Sequence, residues 1–350
     1  VFISLKKSLK KSTVKKTILL TLTLLLISGA FLYFTGASEE TAARSEITIG
    51  YFPNLTHGTA MVALERDYFA EEIADFEVTT RHFPDGSLFM DALTTGAIDI
   101  GLVGPGPALN RYLQGADVVA LAGASTGGNL LVTAPEVEFN RAEDLDGFRI
   151  ATPALGCTHD LQLRYMLAET DLTTKRRGGS VDHRTHPPAS ISGMFRRGQL
   201  DAAVVSEPWA SRLEMEGEGQ VALEWDEVPW EGDLPNTIVV TRGEIVREEP
   251  ELVQQFLQAQ QRAVSYIDDN PSAAAEIIQE SIASISEQHL DLEIIESSLT
   301  RTQFTSELNE EAVKEMAEIS EAAGFIESSS LDGFFVSEDF VPEDLAGHSQ

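Results

Sequence analysis

Cysteine is almost absent from this chain: the single residue of its kind, Cys157, excludes an internal disulfide as a stabilising device. Lysine is nearly as scarce beyond residue 37, where only Lys175 and Lys314 occur. Overall 25 lysines and arginines stand against 56 aspartates and glutamates, a formal net charge of −31. A surface so poor in cations repels phosphate backbones and anionic lipid, so no nucleic-acid partner is expected. It suits a salty or alkaline exterior. Catalytic signatures are missing too. There is no nucleophile elbow, Walker or dinucleotide fingerprint, or convincing zinc spacing, so neither an enzyme nor a cofactor nor a metal is expected. His183 and His186 have a spacing that serves metals on helices, but Pro187-Pro188 follows them and points to extended structure instead.

What is present begins with an export signal. Six lysines between Lys6 and Lys16 precede an uncharged apolar run from Thr17 to Phe34, then the small residues Thr35-Gly36-Ala37. Residues 1–37 therefore read as a cleaved signal peptide, with an uncleaved anchor as the alternative, and the location is periplasmic or otherwise extracytoplasmic. No other stretch is long enough to span a bilayer.

Two similar segments organise the remainder. Asp99-Ile-Gly-Leu-Val-Gly-Pro-Gly-Pro107 and Asp201-Ala-Ala-Val-Val-Ser-Glu-Pro-Trp209 each read as a short apolar strand running into a turn and a helix start. Each follows a helix and a Gly-x-x-Asp approach, Gly96 to Asp99 and Gly198 to Asp201. Around them strands alternate with helices: strands at 46–51, 75–83, 118–124, 148–151 and 236–241, and helices from Gly58, Ser87, Leu161 and Ser190. From Pro250 onward the pattern is mostly helical, with Leu252, Val253, Phe256, Leu257 and Val264 forming one apolar face. This alternation implies an α/β protein of two doubly wound lobes. Residues 46–133 and 238–345 are expected to form lobe I, and 134–237 the inserted lobe II. Two crossovers make a hinge beside a ligand cleft.

The turns 54–58, 86–88, 104–108, 156–160 and 206–209 all lie between a strand and a helix, at the edge where such proteins bind ligands. Helix N-termini attract anions without a cationic side chain. Asn54, Ser87, Ser125, Asn129 and Thr158 offer hydrogen bonds, while Gly86, Gly104, Pro105 and Gly106 shape turns that a ligand can approach. Ser87 and Thr158 also read as helix caps. His57 and His159 are either polar loop residues or ligand contacts, and His159 becomes cationic below about pH 6.5 at its ordinary pKa. Cys157 is either a packed thiol or a reactive thiolate. Asp160 and Glu207, if turned inward, would repel a bare anion and favour a ligand with an ammonium; turned away, they cap helices or brace the hinge. Trp209 walls the cleft or fills a core.

The chain resembles the solute-binding proteins of ABC importers for nitrate, sulfonates and taurine, in the aliphatic-sulfonate branch. The resemblance runs through Ile49-Gly-Tyr-Phe-Pro-Asn-Leu-Thr-His57, Gly101-Leu-Val-Gly-Pro-Gly-Pro107, Ala151-Thr-Pro-Ala-Leu-Gly156 and Ala202-Ala-Val-Val-Ser-Glu-Pro-Trp-Ala-Ser-Arg212, and weakly through Arg301 to Thr305. It implies a type II periplasmic-binding-protein fold, a monomer that delivers a small-molecule anion or zwitterion to ABC permease membrane subunits. Where that family usually has Asn-Thr-Gln-Asp, this chain has Cys157-Thr158-His159-Asp160, which puts the ligand in question more than the fold. The rivals are a pyrimidine-precursor synthase on the same fold, which would need a dedicated lysine, and a soluble sensor.

Overall fold

β-Branched and small residues in short apolar runs build eleven strands among the described residues, which are 45–286 and 288–336 of a computed structural model. The expected export segment lies outside them. The strands are β1 (Glu46–Tyr51), β2 (Glu77–His82), β3 (Ile100–Val103), β4 (Val118–Gly127), β5 (Asn129–Thr133), β6 (Arg149–Thr152), β7 (Asp182–Thr185), β8 (Ala202–Ser206), β9 (Gln220–Leu223), β10 (Pro235–Arg242) and β11 (Thr302–Phe304). They form two sheets, in the orders β11-β4-β10-β3-β1-β2 and β7-β6-β8-β5-β9.

One plan is used twice. In the first sheet β2, β1 and β3 run parallel and β10 joins β3 antiparallel. In the second, β7, β6 and β8 run parallel and β5 joins β8 antiparallel. The strands β3 and β8 are buried along their whole length, which is why both read as continuous apolar runs rather than alternating ones. The duplicated aspartates have a duplicated task. Asp99 accepts the Thr48 amide of β1 (2.8 Å) and pairs with Arg242 (3.3 Å), while Asp201 accepts the Arg149 amide of β6 (2.7 Å) and pairs with the Arg149 guanidinium (2.5 Å). Each satisfies a backbone donor at the open start of a neighbouring parallel strand.

The strand Asn129–Thr133, expected with the first lobe, pairs with β8 and β9 in the second sheet. The chain changes sheets at Gly127-Gly128, where both residues hold φ +67, a conformation that only glycine adopts freely. It returns between Leu223 and Pro235, with β10 already in the first sheet. The polar stretch 135–144 thus follows β5 after the chain has already changed sheets.

The helix Pro250–Asp269 buries the apolar face expected of it, and Phe256 stacks on Phe69 at 4.7 Å between ring centres. The helix expected from Leu161 begins at Thr158, and the one expected to be capped by Ser87 is capped by Asp85, whose Oδ1 accepts the amides of Ser87 (2.9 Å) and Leu88 (3.0 Å). Among the described residues no helix is long and apolar enough to cross a membrane. Removing the Asp201 carboxylate leaves the Arg149 amide without its acceptor and the guanidinium with only the Gly198 carbonyl. Asp201→Ala is therefore expected to lower unfolding free energy by about 1–3 kcal/mol in urea titrations, and a change within measurement error would refute the strand-bracing role.

Candidate functional site

The C-terminal ends of the parallel strands and the N-terminal end of the antiparallel β10 meet around one cavity of about 380 Å³. β1 delivers Phe52, Asn54, Thr56 and His57; β3 delivers Gly104; β6 delivers Pro153 and Cys157 to His159; β8 delivers Ser206 and Trp209; β10 contributes Asn236 and Thr237. The volume lies in the range of roughly 300–1,000 Å³ usual for small-molecule sites. Its walls are largely apolar, from Phe52, Phe83, Trp209 and several prolines.

The Gly-Pro-Gly-Pro turn enters the helix Pro105–Leu113 with Gly104 extended at the cap and Pro105 in the first turn, where its missing N–H costs nothing. A Cβ on Gly104 would stand 2.8 Å from Thr158 Oγ1, and one on Gly106 would stand 2.8 Å from the Thr158 amide. The turn and the 156–160 loop are therefore in direct contact. Asn110 donates to the Gly156 carbonyl (2.9 Å), and Asn54 Nδ2 donates to Ser206 Oγ (3.1 Å), so hydrogen bonds cross from one sheet to the other on two sides of the cavity.

Eight of the sequence-derived candidates line the cavity: Asn54, His57, Gly86, Gly104, Cys157, Thr158, His159 and Trp209. Seven do not. Ser87, Pro105 and Gly106 stand at helix starts beside it. Ser125 is fully buried and donates to the Thr56 carbonyl (3.0 Å). Asn129 is tied between Asn236 Nδ2 (2.7 Å) and Gln162 Oε1 (2.9 Å). Asp160 turns back to accept the Gly156 amide (2.7 Å) and pair with Arg164 (3.1 Å). Glu207 accepts the Ser211 amide and hydroxyl (both 2.9 Å) and Ser298 Oγ (3.1 Å). Burial pushes the Glu207 carboxyl up, against the pull of Ser211 and Arg301. These two carboxylates thus serve helix starts and cross-connections, and the ammonium-attracting reading of them fails.

Seven polar lining residues lie outside the sequence-derived candidates: Thr56, Asp85, Ser206, Asn236, Thr237, Ser286 and Gln288. Asn236 and Thr237 were visible only as the start of a strand. Their place depends on β10 running against its neighbours, which brings its first residues to the edge where the parallel strands end. His183, considered for metal, is buried with Nε2 2.7 Å from Thr152 Oγ1 and Nδ1 3.5 Å from Asp160.

Among the described residues no lysine or arginine lines the cavity, and its one carboxylate, Asp85, is engaged in capping. Burial drives His57 down to about 3 and His159 down to about 4, so both imidazoles are neutral near pH 7 and His159 does not become a cation at pH 6.5. The Cys157 thiol is pushed up to about 12 by burial and then by the nearby Asp160 charge, which excludes the thiolate reading. Five buried side-chain atoms of the wall have no protein partner: Asn54 Oδ1, His57 Nδ1, Thr158 Oγ1, His159 Nε2 and Thr237 Oγ1. Such atoms are costly unless something supplies the missing bond.

Two measurements follow. Each depressed histidine binds its proton only in the unfolded chain between its folded and ordinary pKa values. Its contribution is complete above about pH 6.5 and is lost as pH falls toward 4 or 3, with a limiting slope of about 1.4 kcal/mol per pH unit. Urea stability should fall between pH 6.5 and 5, and His57→Asn should flatten that dependence; an unchanged slope would contradict the buried neutral state. Ser125→Ala with Asn129→Ala should destabilise by about 1–3 kcal/mol per orphaned partner, whereas unaltered melting would return these residues to the ligand-contact reading.

The NMT1-like family model matches residues 40–283. The taurine-binding periplasmic protein of Escherichia coli is 27% identical over 235 residues, covering 67% of this chain and 68% of that one. Among solved structures, the alkanesulfonate-binding protein SsuA from Xanthomonas axonopodis pv. citri bound to MOPS superposes with a TM-score of 0.70 at 20% identity, over 84% of this chain and 99% of that one. The periplasmic nitrate-binding protein NrtA from Synechocystis gives 0.71 at 17% identity, over 86% and 92%. The fold is that of the periplasmic binding proteins, as the family resemblance implies. The family match spans well over half the sequence, and the chain belongs to the NMT1-like family.

Proposed function

We propose that this protein is an extracytoplasmic solute-binding component of an ABC importer, a monomer that closes two lobes on a small organic oxyanion and presents it to a membrane permease. The observation that carries this reading is the convergence of five unpartnered buried polar atoms on one cavity whose wall, among the described residues, has no side-chain cation. Neutral donors and the first amides of the helix Thr158–Ala168 can hold an anion by dipoles alone. The lobes are those built on the two sheets, with Gly127-Gly128 and the 224–234 segment as the connections that bend.

An aliphatic sulfonate or taurine fits better than nitrate. The aromatic and proline walls would cover an apolar body, and a bare four-atom oxyanion such as nitrate would leave them unused. Asn54 Oδ1 adds an acceptor that an ammonium can satisfy, which favours taurine over an uncharged-tail sulfonate. Two relatives, both of Escherichia coli, are named as a taurine-binding periplasmic protein and a putative aliphatic sulfonates-binding protein, which supports this ligand class. Lysine chemistry finds no support at the cavity: Lys175 pairs with Asp182 (3.5 Å) and Lys314 with Glu310 (3.0 Å), both side chains more than half exposed.

Calorimetric titration with taurine, ethanesulfonate and nitrate tests the reading. Taurine is expected to bind tightest and nitrate weakest, and ligand in excess should raise the melting temperature by mass action. Thr158→Val and Thr237→Val should each weaken binding about two- to tenfold, the worth of one hydrogen bond. Binding of none of the three anions would sink the proposal.

A further inference from the structure

The loop Cys157-Thr158-His159 places three different polar groups on one stretch of the cavity wall. Thr158 is 2% exposed, and its Oγ1 has no protein partner. His159 turns one ring nitrogen, Nδ1, toward Cys157 Sγ at 3.9 Å, and its other, Nε2, is buried without a partner. A neutral imidazole carries one proton, so what Nδ1 does decides what Nε2 can offer. With the proton on Nδ1, Nε2 presents a lone pair, which repels the oxygens of an anion. With the proton on Nε2, the same atom becomes a donor.

The surroundings choose between these. Asp160 lies buried behind the loop, with its carboxylate on the Gly156 amide and Arg164. Burial and that charge both hold Cys157 as a thiol, so an S–H is available to donate. The histidine is withdrawn from water and stays neutral, so its Nδ1 lone pair is available to accept.

We propose that Cys157 is a positioning residue: its S–H donates to His159 Nδ1, fixes the imidazole as the Nε2–H tautomer, and aims that N–H, beside the Thr158 hydroxyl, at an oxygen of the bound anion. The ligand half of this statement rests on the function proposed above; the tautomer half does not. The pair gives the wall a directed donor without adding charge, and it selects groups that present acceptor oxygens at that point. Asp160 serves the same end from behind, by keeping the thiol protonated.

Nitrogen-15 NMR of histidine-labelled protein at pH 7 reads the tautomer directly, with His159→Gln assigning the signals. The unsubstituted protein is expected to show His159 as Nε2–H. Cys157→Ala should shift it toward a mixture of tautomers, and Cys157→Ser, which keeps a donor, should restore it. In titrations with ethanesulfonate, Cys157→Ala should weaken binding about five- to tenfold and Cys157→Ser less than about threefold. Glutamine carries its amide donor whatever its neighbour, so adding Cys157→Ala to His159→Gln should have no further effect. An Nδ1–H tautomer in the unsubstituted protein, or no change of tautomer in Cys157→Ala, overturns the proposal. Equal weakening by Cys157→Ala in both backgrounds overturns it too, because the cysteine would then act by packing alone. Failure of the unsubstituted protein to bind ethanesulfonate, with the tautomer as expected, would count against the proposed ligand and support the relay.

Discussion

Two buried carboxylates face away from the cavity, and the character of its wall depends on that. Asp160 and Glu207 are both fully buried and both sit in turns that feed the site. Left unpaired, a buried charge is expensive, and aimed inward it would set the sign of the cavity. Each is instead absorbed by the start of its own helix and by an arginine, Arg164 at 3.1 Å and Arg301 at 3.5 Å. The arginines are spent in the same places. Apart from Asp85, which caps the helix Gly86–Thr94, what is left on the wall among the described residues is uncharged: hydroxyls, amides, and two imidazoles that burial keeps neutral.

This arrangement reconciles an extreme composition with the oxyanion ligand proposed above. A chain with two lysines beyond residue 37 has few to place, and both are held in ion pairs. Dipoles of helix starts and hydroxyls need no such supply. Their strength comes from the low dielectric of a mostly apolar wall, where a directed donor is worth more than it is in water. Under the proposed function, selectivity then falls to details such as the ring nitrogen that carries a proton at His159.

The two strand-turn-helix segments were legible because three local signals coincide in each: an apolar run, a Gly-x-x-Asp approach, and a proline or small residue at the helix start. The glycines at 104 and 106 were legible as a turn, though not that Thr158 would press against them. The strand Asn129–Thr133 was legible as extended but not as a member of the second sheet, because a strand flanked on both sides is equally apolar in either sheet. Thr302–Phe304 is too short for any periodicity and gains its strand character by pairing with β4.

By itself the sequence determined the alternating α/β plan, the strand ends that carry Asn54, Gly104 and Thr158, and an anion-repelling exterior. These follow from local backbone preference, apolar periodicity and net charge, all of which act over a few residues or over the whole surface at once. Only the tertiary structure decided which polar side chains line the cavity. Ser125 and Asn129 lie within the same turns' reach as Thr158, yet their hydrogen bonds go to Thr56, Asn236 and Gln162. Asn236 and Thr237 reach the wall through the reversed direction of β10. Direction, partner and burial are properties of chain segments a hundred residues apart, and no local pattern encodes them.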